Sequence, residues 1–91
     1  MPKNRSRNEI VLAITETIAG NNGAIIPTRL MYGSNMSHTQ LAGYLKELTA
    51  QGIVKEELVD KKRRIVLTDK GYKYLLQLKA LKEFEKTFGT E

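Results

Sequence analysis

The chain contains no cysteine and no tryptophan, and among its 91 residues it has a single histidine, His38. Without cysteine there are no disulfides, no thiol nucleophile and no zinc-finger ligand set. One histidine alone supports neither a metal cluster nor a nucleophile–base pair. Aspartate is also scarce, with only Asp60 and Asp69, and no glycine-rich loop closes on a lysine in the manner of a nucleotide site. Glu56 and Glu57 are neighbours on a predicted strand, so their carboxylates leave opposite faces and do not form an acid–base pair. An enzyme is therefore not expected, nor a metal, a cofactor or a small-molecule substrate. Long apolar runs are missing too. The longest is Ile10–Ile14, against the roughly 20 residues a membrane span requires. The basic start is followed by an apolar turn that Thr15, Glu16 and Thr17 interrupt, which does not read as a secretion signal. A cytoplasmic protein, associated with the nucleoid, is the expectation.

What is present is positive charge in two places. Lysine and arginine number 15 against 10 acidic residues, a formal net charge of +5. Lys3, Arg5 and Arg7 form one cluster, read as a flexible basic arm over residues 1–7. Lys61, Lys62, Arg63 and Arg64 form the other. The stretch between them, Glu9 to Asp60, is slightly acidic. Concentrated cations suit a polyanion, and solubility alone is the competing explanation for each cluster.

Apolar spacing divides the rest into elements. Ile10, Ile14 and Ile18 recur at helical period, which predicts a first helix from Asn8 to Ala19 with Asn8 as its N-cap. Gly20-Asn-Asn-Gly23 ends it, and Ala24–Ile26 has the character of a short extended piece. Pro27 suits the first position of a short second helix reaching Tyr32. Gly33-Ser-Asn makes the next turn, with Gly33 free to take a positive φ. Ser37 and Gln40 have the spacing of a capping box, and open a third helix over residues 38–51 that Gly52 closes. Ile53–Val59 and Arg64–Leu67 read as two strands joined by a basic turn at residues 60–63. Thr68 caps a last helix from Asp69 to about Phe88.

Two helices joined by a short turn, then a hairpin with a basic tip, compose a winged helix-turn-helix. The fold class is thus α+β and mostly α, with the domain over residues 8–68 and a C-terminal helix over 69–91. On the third helix, Leu41, Leu45 and Leu48 face inward, leaving His38, Thr39, Gln40, Ala42, Gly43 and Lys46 as candidates to meet double-stranded DNA. Gln40 has the groups to pair with adenine and Lys46 with guanine in the major groove. His38 has a phosphate-contacting and a merely solvated reading. Gly43 either lets the helix backbone approach a groove or allows packing against another helix. Lys61 to Arg64 would lie on phosphates or in the minor groove, and Lys3, Arg5 and Arg7 would add phosphate contacts. Competing uses of the same surface are a sequence-tolerant architectural role and a protein-docking role.

The last helix carries an apolar stripe of Tyr74, Leu78, Leu81 and Phe88, interrupted by Glu85 and flanked by Phe84, which reads as a homodimer seam. Tyr72, Leu75 and Leu76 are expected to pack back on the domain. The other reading of the helix is a monomer in which the whole stripe folds back.

The segment Thr28 to Leu45 (TRLMYGSNMSHTQLAGYL), with QGIV at residues 51–54 and LTDKG at 67–71, resembles small archaeal winged-helix DNA-binding proteins of the transcriptional-regulator and chromatin-associated type. The resemblance covers roughly Arg7 to Leu81. It implies a homodimer joined by an antiparallel coiled coil of the last helices.

Overall fold

A computed structural model describes residues 5–88. The elements run α1 (Arg7–Gly20), β1 (Ala24–Ile25), α2 (Pro27–Gly33), α3 (His38–Ala50), β2 (Val54–Val59), β3 (Lys62–Leu67) and α4 (Asp69–Phe88).

The first helix starts one residue earlier than its apolar period suggests, and Asn8 is not its cap. Ser6 is. Its Oγ accepts from the Glu9 amide at 3.1 Å, while Glu9 Oε1 accepts from the Ser6 amide at 2.8 Å. This reciprocal pair satisfies two donors at once. Asn8 has no such partner, since Val11 stands three residues after it. The third helix opens as its sequence predicts, with the Gln40 amide donating to Ser37 Oγ at 3.2 Å and Ser37 N–H to Gln40 Oε1 at 3.2 Å. Between the two helices of the motif, the positive φ falls on Asn35 and not on Gly33. Gly33 is instead the last residue of α2, and it is small for another reason. A Cβ there would lie 2.6 Å from Thr17 Cγ2 of α1.

The sheet order is β1-β3-β2, all antiparallel, so the short piece at Ala24–Ile25 is an edge strand. Ala24 pairs with Val66 and Ile25 with Ile65, while the hairpin register runs from Val54↔Leu67 to Val59↔Lys62. Only Asp60 and Lys61 make the turn, both at positive φ (52° and 65°). Two such residues give the primed turn whose twist matches a hairpin. Lys62 and Arg63, expected in the turn, are consequently strand residues with alternating faces.

Val11, Ile14, Ile18, Leu30, Leu48 and Ile65 are fully buried and join α1, α2, α3 and the sheet into one core. Thr68 locks α4 onto it. The Thr68 hydroxyl donates to the Gly52 carbonyl at 2.6 Å and accepts from the Gly71 amide at 2.9 Å. Gly71 is forced by contact, because a Cβ there would lie 2.2 Å from the Ile53 carbonyl oxygen.

Leu75 and Leu78 of α4 are buried, and Tyr74 packs against the core. Leu78 thus belongs to the domain and not to an external seam. Conversely Leu76 faces solvent, and Tyr72 stays 40% exposed with its hydroxyl close against Gly23. Only Leu81, Phe84 and Phe88 of the expected stripe are exposed, and the rings of the last two lie 4.7 Å apart, tilted by 40°. At ~100° per residue the buried Leu78 lies about 60° from Leu81. Tyr74, Leu78, Leu81 and Phe88 stay within about 80° on one side of the helix, and the domain covers the first half of that side but not the second.

Candidate nucleic-acid interface

The inward face of α3 is Leu41, Leu45 and Leu48, all buried, as the helical period requires. His38, Thr39, Gln40, Ala42, Gly43 and Lys46 are all exposed. Around the helix, at ~100° per residue, His38 and Ala42 form the edge nearest the wing. Lys46, Thr39 and Gly43 hold the middle, and Gln40 and Glu47 the far edge.

The wing-side edge borders an open hollow of about 680 Å3. Its floor includes Ile26, Met31 and Leu41, and its rim carries His38 and Ala42 on one side and Lys61, Lys62 and Arg63 on the other. Helix and wing, remote in sequence, therefore converge on one concavity. Lys46, Lys61 and Lys62 make no ion pair among the described residues. Their charge is available to an external anion.

Other cations are already engaged. Arg63 Nη2 lies 2.8 Å from Glu56 Oε2 and Nε lies 3.3 Å from Oε1, a two-point fork across the hairpin. This hydrogen bonding holds the Glu56 carboxyl below its usual titration range and raises that of Arg63. Both groups remain about half exposed, so the pair is weak as a source of stability. Arg64 leaves the opposite face of β3. Its cross-strand neighbour is Glu57, whose carboxylate lies 3.5 Å from Lys55 Nζ.

The basic arm is in part an ordered element. Lys3 lies outside the described residues. Arg5 Nη2 donates to the carbonyls of Ser34 and Asn35, at 3.1 and 3.0 Å, at the exit of α2. Those carbonyls follow the last helical turn, where acceptors lack partners and a cation is favoured. Arg7 belongs to the first turn of α1 and pairs with Glu47 on the far edge of α3. Glu47, and after it Tyr74, raise the Arg7 pKa. Among the described residues 5–7 no free arm is formed, because the Ser6–Glu9 capping box draws the helix start back over Arg7.

Gln40 is likewise committed in part. Its Oε1 accepts from both Ser37 N–H and Ser37 Oγ, so the two-point pairing with adenine, which needs Oε1 as well as the amide NH₂, competes with the cap. The two readings of Gly43 are decided on one side. Nothing lies within 4 Å of a Cβ built there, so no helix of the same domain requires that glycine.

One residue that sequence reasoning passed over is Arg29 of α2. It is exposed and, with Arg64, lines a second hollow of about 450 Å3 beside β1. A third, of about 260 Å3, lies between α1 and α4 and includes Leu12, Leu78 and Leu81. Among the described residues no group of three His, Asp or Glu side chains is placed to hold a metal ion, and no helix is long and apolar enough to cross a membrane.

Three helices, a three-stranded sheet ending in a basic hairpin, and a concavity shared by α3 and that hairpin define a winged helix-turn-helix protein. The chain belongs to the winged helix-turn-helix family, which matches it over residues 4–86. No curated protein sequence matches it significantly. Among solved structures it is similar to Sso10a-2, a DNA-binding protein from Sulfolobus solfataricus, with 17% identity over 96% of this chain and 100% of that one (TM-score 0.74). It is similar to F93 from STIV, a winged-helix DNA-binding protein, with 20% identity over 93% and 96% of the two chains (TM-score 0.75). A MarR family transcriptional regulator from Silicibacter pomeroyi shares 22% identity over 80% of this chain (TM-score 0.73), which spans only 49% of the regulator. The fold expected from the residues is the fold observed.

Proposed function

We propose that the protein binds double-stranded DNA as a transcriptional regulator, with α3 in the major groove and the wing on the phosphates or in the minor groove. The observation that carries this reading is the shared concavity. His38 and Ala42 of α3 face Lys61, Lys62 and Arg63 across about 680 Å3 of open space, and the lysines on it have no carboxylate partner among the described residues. A hollow rimmed by two unpaired lysines, beside a helix whose exposed middle is Thr39, Gly43 and Lys46, has the charge to hold a backbone strand while that helix enters the groove. Sso10a-2 and F93 are described as DNA-binding proteins, which agrees with the same use here.

The protein acts as a homodimer through the distal half of α4. Leu81, Phe84 and Phe88 are 43%, 59% and 67% exposed on the distal part of α4, and a second copy of the same stripe is the partner that would cover them. A sequence-tolerant architectural role is the second reading. It is favoured by the single unpaired cation, Lys46, on the exposed face of α3 and by the partial commitment of Gln40.

Titration of fluorescent duplexes, random and genomic, at several salt concentrations tests both. Tight binding with a steep negative salt slope is expected. A spread of a hundredfold or more between sequences identifies a regulator, and a flat ranking an architectural protein. No binding at low salt overturns the DNA reading.

A further inference from the structure

The hollow beside β1 is not part of the concavity between α3 and the wing, and nothing in the reading above uses it. It lies between the loop after α1, the edge strand β1 and the first turn of α2. Asn22, Ile25, Ile26, Arg29 and Arg64 are among the residues lining it. Three features set it apart. Two arginines from distant parts of the chain line it, and neither makes an ion pair among the described residues. No carboxylate lines it, although Glu57 is the cross-strand neighbour of Arg64 on the hairpin. It also adjoins the larger concavity at Ile26, which lines both.

The fold explains why the arginines converge. β1 ends at Ile25, which pairs with Ile65, so the next residue back along β3, Arg64, stands at the end of β1. There the chain turns into α2 through Ile26 and Pro27. Alternation along β3 sends Ile65 to the core and Arg64 to the other face. Arg29, three residues beyond Ile26, projects from the first turn of α2. Two guanidiniums lining one hollow without a carboxylate leave it positively charged, and an anion seated there offsets that charge. Asn22, held at φ 64° in the preceding turn, places a neutral amide at the same hollow.

We propose that this hollow binds a backbone phosphate of duplex DNA through Arg29 and Arg64, on the flank of the main contact surface. The inference rests on the DNA-binding reading and extends it. A duplex docked on α3 and the wing extends past Ile26, and a neighbouring backbone phosphate comes to the two arginines. Arg29 and Arg64 are positioning residues. They fix register on the duplex and contribute affinity without reading bases.

The test uses Arg29→Gln, Arg64→Gln and the double variant, with Arg64→Lys as the charge-retaining control and Lys62→Ala as a variant of the main surface. Duplex affinity is measured against salt concentration, and inorganic phosphate is titrated separately while the arginine side-chain resonances are followed. The double variant is expected to flatten the log–log salt slope by about 0.9, the loss of one phosphate contact, and each single variant by less. The ranking of sequences and the melting temperature should stay as in the wild type, and Arg64→Lys should restore the slope. An unchanged slope in the double variant, with Lys62→Ala still flattening it, overturns this site and leaves the DNA reading intact. If the slope is unchanged but inorganic phosphate shifts the Arg29 and Arg64 resonances, the hollow takes small anions and the duplex is the wrong occupant. Absence of duplex binding by the wild type overturns the DNA reading, and this site with it.

Discussion

Arg63 forks onto Glu56 across the wing, with its Nη2 2.8 Å and its Nε 3.3 Å from the two carboxylate oxygens. The fork cancels one of the four charges of the basic cluster within the protein itself. A cation that must leave an internal carboxylate to reach a phosphate gains less than one that is unpaired. Glu56→Gln is therefore expected to tighten binding to every duplex alike and to steepen the salt slope by up to about one contact, near 0.9. Unchanged affinity in a salt titration would show that Arg63 points away from the duplex.

The same pair sets a pH response. Arg63 lowers the Glu56 pKa in the folded wing, so the folded state holds that proton less readily than the unfolded chain does. The associated stability is present above the ordinary glutamate range and is lost as pH falls through the lowered folded value. Exposure limits it to about 0.5 kcal/mol. Thermal melts of the wild type and Glu56→Gln between neutral and acid pH should show a slightly smaller acid loss in the variant. A larger acid loss in the variant would reverse the sign of this coupling.

Helix and strand order was legible in the residues because apolar spacing at periods of 3.6 and 2 is a local property. The capping box of α3 was legible for the same reason, since Ser37 and Gln40 are three residues apart. What was not legible depends on contacts between remote residues. No local signal tells that Glu47 would hold Arg7, that Ser34 and Asn35 would hold Arg5, or that Leu78 would be covered by α1. Arg29 shows the limit most plainly. It is an isolated cation on a short helix, and only the pairing of β1 with β3 brings Arg64 to it. Ser6 and Glu9 have the same three-residue spacing, but the apolar period begins only at Ile10 and by itself places the helix start at Asn8.

Gln40 and Lys46 occupy the same helix yet should respond differently to truncation. Gln40 closes the capping box of α3, so Gln40→Ala is expected to lower stability by about 0.5–1 kcal/mol, read as a drop in melting temperature. Lys46 is exposed and unpaired among the described residues, so Lys46→Ala should leave the melt unchanged and alter the ranking of duplex sequences. A uniform affinity loss across sequences for Lys46→Ala would reduce Lys46 to a phosphate contact.

Leu78 and Phe84 divide α4 into a part that belongs to the domain and a part that does not. Leu78→Ala opens a hole in the core and is expected to cost about 2–5 kcal/mol, enough to unfold so small a domain. Phe84→Ser with Leu81→Ser removes exposed apolar surface and should convert a dimer to a folded monomer, seen in sedimentation equilibrium with the circular dichroism spectrum retained. A wild type that sediments as a monomer at high concentration would remove the dimer from the proposal.

Two glycines give the sharpest contrast, because one is required by the fold and the other is not. At Gly71 a Cβ would stand 2.2 Å from the Ile53 carbonyl oxygen and 2.6 Å from Leu67 Cδ1. Gly71→Ala must push α4 off the hairpin and is expected to cost about 1–3 kcal/mol or more. At Gly43 a Cβ would meet nothing within 4 Å, and glycine in mid-helix is less favourable than alanine by about 0.8–1 kcal/mol. Gly43→Ala should therefore raise the melting temperature. If α3 lies in the major groove with its backbone close to the bases, the added methyl group stands in the duplex, and the more stable protein binds DNA more weakly. That opposition, stability up and affinity down, is what chemical denaturation and duplex titration of one variant would measure together. Higher stability with undiminished affinity would mean that Gly43 faces away from the bases and that α3 meets the duplex along its His38–Ala42 edge.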